Sequence, residues 1–102
     1  MKEDQLRPIH PGEVLLEEFI KPMNLEINQI ASSLKVPTQQ IHDLINGQQS
    51  MTADLALRLA YFLKMSPRFW LGLQMDYDLD TIKDQVGEKL KEEITVLENL
   101  KN

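Results

Sequence analysis

The chain has 102 residues, 42% of them hydrophobic, with a formal net charge of −5 at pH 7, enough apolar material for one cored domain plus an appendage. It contains no cysteine, which removes disulfides and thiolate chemistry and fits a reducing compartment. No apolar run approaches the ~18 residues of a membrane span, and the N-terminal MKEDQLRP lacks the apolar core of a signal peptide, so a cytoplasmic protein with no membrane partner is expected.

The first segment, Ile9 to Met23, has the letters of a helix start. Pro11 suits a first turn, where its missing N–H has no helical partner, and Glu13, Glu17 and Glu18 lie toward the positive end of the helix dipole. Val14, Leu15, Leu16 and Phe19 supply the face to be buried. Pro22 is expected to end this helix at or near Ile20, because proline disfavours helical geometry in the residue before it. His10 reads as a helix-start residue. No HExxH, paired His/Cys spacing or serine-triad spacing accompanies it, so neither an enzyme nor a bound cofactor is expected.

From Gln29 to Gly47, two short helical patterns meet across a break at Lys35-Val36-Pro37. Ile30, Ala31 and Leu34 share one face of the first; Ile41, Leu44 and Ile45 share one face of the second. Ala31 is small where two helices cross, and Val36 can plug the corner between them. Asn46-Gly47 then supplies a left-handed stop. Two helices joined by so short a turn pack steeply, the helix-turn-helix arrangement. With its apolar side inward, the second helix turns Thr38, Gln39, Gln40, His42 and Asp43 outward. An amide side chain sets a donor beside an acceptor, matching adenine N6 and N7 in the major groove.

Thr52 is a helix cap for a segment beginning at Ala53, with Asp54 in its first turn and Leu55, Ala56, Leu59, Ala60, Phe62 and Leu63 facing the core. Ser66-Pro67 repeats the cap-plus-proline signal and opens a fifth helix in which Phe69, Trp70 and Leu73 share a side, with Trp70 assigned to the core or a subunit interface. From Leu79 onward, Ile82, Val86, Leu90, Ile94, Leu97 and Leu100 form a continuous apolar stripe opposite Glu88, Lys89, Lys91, Glu92 and Glu93. This predicts a C-terminal amphipathic helix over 80–102 in which Gly87 allows a bend, and which packs on its own domain or on a second copy, with a partner protein as the other occupant.

Charge argues against strong DNA affinity. Residues 1–67 carry six basic against eight acidic side chains and residues 68–102 five against eight, so no basic stripe exists to neutralise phosphate. Uncharged donors, namely Gln48, Gln49, Ser50 and helix N-terminal amides, can still hold phosphates.

Three runs, HPGEVLLEEFIKP at 10–22, INGQQSMTADLALRLA at 45–60 and SPRFWLGLQMDYDL at 66–79, resemble the HigA family of addiction-module antitoxins, of the Xre/Cro-type helix-turn-helix superfamily. The resemblance covers roughly residues 7–80 and implies an all-α, five-helix, lambda-repressor-like domain over 9–79. An N-terminal arm, 1–8, precedes it and the C-terminal amphipathic helix follows it. It also implies a homodimer that represses its own operon through double-stranded operator DNA and neutralises a small basic HigB-type mRNA-cleaving toxin. The superfamily's base-reading positions fall on Thr38, Gln39, Gln40, His42 and Asp43, and its phosphate-contacting positions on Asn28, Gln29, Asn46, Gln48, Gln49 and Ser50.

Three departures bear on function. Glu26-Ile27 stands where the family commonly has Ser-Gln, Lys35 where the inter-helix turn often has glycine, and Gln48-Gln49 where many relatives are basic. They weaken the expected grip on phosphate more than the expected fold. The alternative is a protein-interaction module on the same fold, binding a basic toxin with weak or lost DNA binding.

Overall fold

The computed structural model describes residues 7–100, with the side chains of residues 7–98; the six residues that begin the expected N-terminal arm and the last two of the chain lie outside the described part. Among the described residues the protein is all-helical. Helix α1 is built from Pro11–Leu15, a π-helical turn Leu16–Ile20 and Lys21–Met23; α2 is Ile27–Leu34, α3 Thr38–Ile45, α4 Ala53–Leu63, α5 Pro67–Glu93, and a last turn, α6, is Leu97–Leu100. No helix is long and apolar enough to cross a membrane among the described residues.

The expected stop at Ile20 does not occur. The Lys21 N–H bonds the Leu16 carbonyl five residues back, and Lys21 keeps helical angles (φ −67°, ψ −52°) although proline follows it. A wider π turn relaxes the clash between the Pro22 ring and the preceding turn, so the chain continues to Met23.

Helices α1, α2 and α4 end alike. Asn24, Lys35 and Lys64 adopt left-handed φ of 54°, 61° and 57°. The following apolar residue, Leu25, Val36 or Met65, donates its N–H to a carbonyl five residues back at 2.9–3.0 Å and packs against the core. Lys35 therefore stands where the chain needs positive φ, as its replacement of a turn glycine implied.

Ile30, Ile41, Leu44, Leu55 and Leu59 converge with Leu15 on Trp70, which is wholly buried and sits 5.5 Å from the Phe19 ring and 5.0 Å from that of Phe69. Trp70 is a core residue. The fifth helix and the C-terminal helix are one element, since α5 runs through Asp80 and past Gly87 without a break and stops only where Ile94 turns extended. Its apolar stripe does not fold back on the domain. Leu79, Ile82, Leu90, Ile94 and Leu97 stay 42–70% exposed, so packing within the chain, one of the expected outcomes, is not what this helix does.

Candidate nucleic-acid interface

Helix α3 is anchored on one side and bare on the other. Ile41 and Leu44 are fully buried, whereas Gln39, His42 and Asn46, spaced three and four residues apart, are exposed as one row. Thr38, Gln40 and Asp43 flank that row half-buried. The helix is held from behind by α1. A Cβ on Gly12 would fall 1.7 Å from the Leu44 carbonyl oxygen, so only glycine lets the two backbones approach this closely.

The helix starts divide into two classes. His10 Nδ1 accepts from the Gly12 N–H at 2.9 Å, Thr52 Oγ1 from the Leu55 N–H at 3.2 Å and Ser66 Oγ from the Arg68 N–H at 3.1 Å, so α1, α4 and α5 begin with a side-chain cap. Helices α2 and α3 begin on Glu26 and Pro37, and neither start has one. The amides opening the helix-turn-helix pair are thus left for an acceptor from outside, at the positive ends of two dipoles. Asn28 and Gln29 are exposed on the first turn of α2, and no side-chain hydrogen bond joins them to α3 among the described residues. Glu26 is exposed beside them and opposes an anion there.

The loop after α3 repeats the terminal motif with one change. Gly47 takes the left-handed position at φ 80°, and the Gln48 N–H bonds the Asp43 carbonyl five residues back at 2.8 Å. Where the other three helices tuck in an apolar residue, this one carries the exposed Gln48. Gln49 N–H shares the same carbonyl at 3.1 Å, and Gln49 Nε2 donates to the Ser50 carbonyl at 2.8 Å. Asn46 and Ser50 are exposed.

Two buried polar side chains fix this loop from below. Gln74 on α5 accepts the Met51 N–H at 2.7 Å and donates to Asp78 at 2.9 Å. His10 lies under the loop, its ring 3.9 Å from where a Cβ on Gly47 would fall, and stacks edge-on against Tyr77 at 4.9 Å. Burial holds the His10 imidazole below its ordinary pKa of 6.5, with Asp78, the Gln49 backbone and Glu13 pulling more weakly the other way. His10 is thus the helix-start residue expected, and it also supports the loop. Neither Gly12 nor Gln74 was legible as a site residue; their only signal lay inside the HPGE and LQMDYDL runs.

The five base-reading and six phosphate positions expected from sequence therefore fall on the first turn of α2, along α3 and on the loop after it, and one side-chain contact among them ties α3 residues together: Gln39 Nε2 donates to Asp43 Oδ1 at 2.9 Å.

No protein-family model matches the chain. Antitoxin HigA-1 of Vibrio cholerae is 34% identical over 91 residues, covering 89% of this chain and 86% of that protein. Among solved structures, an addiction-module antidote protein of the HigA family from Coxiella burnetii superposes with a TM-score of 0.84 at 44% identity, covering 88% of this chain and 98% of that one. The Pseudomonas aeruginosa antitoxin HigA, solved with the higBA promoter, gives 0.86 at 36% identity over 89% and 99% of the two chains.

Proposed function

This chain belongs to the HigA family of addiction-module antitoxins, and from that premise we propose that it represses its own operon by binding operator DNA and neutralises a HigB-type toxin. The observation that carries the DNA half is the pair of uncapped helix starts beside an exposed row of amide and imidazole side chains. In this reading α3 enters the major groove with Gln39, Gln40, Thr38 and His42 toward base edges. The first turn of α2 (Asn28, Gln29) and the loop residues Asn46, Gln48, Gln49 and Ser50 hold phosphates on either side. Residues 9–79 form the reading unit, with 1–8 as an arm and 80–102 as the appendage.

A net charge of −5 leaves little sequence-independent attraction, so the complex depends on two half-sites bound by a homodimer. Fluorescence anisotropy on duplex DNA from upstream of the protein's own gene tests this at low salt. Gln39→Ala is expected to weaken the cognate site by about 1–3 kcal/mol and to leave unrelated DNA unchanged. No binding at low salt, with or without a toxin, overturns the reading; equal loss on unrelated DNA makes Gln39 a backbone contact.

The second reading, a toxin-binding module with weak DNA binding, is favoured by Glu26 at the bare start of α2. Under it, a small basic partner co-purifies with the Gln39→Ala plus Gln40→Ala protein while operator affinity is negligible in the wild type too.

A further inference from the structure

We propose that Asp43 is the specificity-setting residue of the recognition helix: it contacts no base, but orients the Gln39 amide for adenine, while its charge lowers affinity for all DNA alike. The inference rests on the operator-binding reading above. Gln39 is exposed at the start of α3, and its Nε2 donates to Asp43 Oδ1, one turn further along, at 2.9 Å. An amide nitrogen carries two hydrogens. One is taken by Asp43, and the second remains beside Oε1 as an adjacent donor and acceptor. That pair matches adenine, whose N7 accepts and whose N6 donates.

The opposite orientation of the amide would set Oε1 against the carboxylate, two acceptors with no hydrogen between them. Asp43 therefore selects one of the two amide orientations before DNA arrives, and the ordering cost is met in the free protein. Guanine presents acceptors at both N7 and O6, so an amide held in this orientation meets it with one mismatched lone pair.

The carboxylate has a second effect. No cation pairs with Asp43 among the ion pairs of the described residues, and it sits half-buried on a helix facing a polyanion. Its repulsion of phosphate acts on every sequence, whereas the Gln39–adenine pair forms only on the correct one. A penalty common to all sites lowers affinity throughout and leaves the preference for the adenine site to the oriented Gln39 amide. The Asp43 backbone carbonyl accepts the Gln48 and Gln49 amides, a contact that any side chain at this position preserves. Substitution there thus isolates the carboxylate from the loop.

The test is in vitro selection from randomised duplexes with the full-length protein, in wild-type, Asp43→Ala, Asp43→Asn and Gln39→Ala forms. Wild type is expected to enrich one adenine column per half-site, and Gln39→Ala to flatten that column by roughly 5- to 100-fold. Asp43→Ala is expected to flatten the same column and no other, while raising affinity for unrelated DNA. Asp43→Asn keeps an acceptor for Gln39 without the charge, so it should restore the column and keep the raised non-specific affinity.

An adenine column that survives Asp43→Ala unchanged overturns the inference and leaves operator reading intact. Flattening by Asp43→Asn as severe as by Asp43→Ala overturns the orienting hydrogen bond. Enrichment of no motif by wild type overturns operator reading itself, and the inference with it.

Discussion

Gly12→Ala offers a direct trial of how the recognition helix is held. The added methyl would lie 1.7 Å from the Leu44 carbonyl oxygen and 2.5 Å from its carbon. A carbon–oxygen contact relaxes at about 3.3 Å, so α1 and α3 must separate by roughly 1.6 Å. The obstacle is helix backbone, which cannot rotate aside as a side chain would. Overpacking of a tight site costs about 1–3 kcal/mol, and the absence of any yielding atom places this change near 3. For a domain of this size each kcal/mol lowers Tm by roughly 4–8 °C, giving a fall of about 12–24 °C in a circular-dichroism melt. Gly72→Ala is the matched control, since Gly72 is also helical but has nothing within 4 Å of its would-be Cβ. There the same chemical change should stabilise by about 0.5–1 kcal/mol, by restricting the unfolded chain and removing helical glycine. Equal Tm values for wild type and Gly12→Ala, within ~2 °C, would refute the claim that α1 and α3 touch backbone to backbone.

Other perturbations probe the loop and the helix ends. Gln74→Leu strands the buried Met51 N–H without its acceptor, for a loss of about 1–3 kcal/mol in urea titration and faster hydrogen exchange at Met51. Lys64→Gly relieves an exposed left-handed residue and is expected to raise stability by about 1 kcal/mol; an unchanged urea midpoint would count against strain at that helix end. Because burial depresses the His10 pKa, the unfolded chain takes up a proton near 6.5 before the folded protein does. Stability is therefore complete above pH 6.5 and falls as pH drops below it, and His10→Asn, whose amide caps without titrating, should flatten the melting profile just below pH 6.5. A wild-type Tm constant across that window would contradict the buried, neutral imidazole.

Much of this protein is written locally. The spacing of Ile41, Leu44 and Ile45, the caps at Thr52 and Ser66, and the Gly47 stop each involve residues within five positions of one another, where helix geometry alone dictates who meets whom. The exposed row on α3 follows from that periodicity, and the resemblance to the HigA family from the order of three motifs. Gln39 and Asp43 also lie one turn apart, so their contact was local too, but naming both as base readers hid the possibility that one serves the other.

What the residues could not declare depends on how the chain closes on itself. Gly12 matters because α1 crosses Leu44, and Gln74 because its carbonyl reaches Met51, 23 positions away. Pro22 and Gly87 looked like breaks, yet a π turn absorbed the first and the second costs a long helix too little to end it. Local propensity ranks conformations by about 1 kcal/mol per residue, and burial of a shared core outweighs such preferences wherever helices must fit one another.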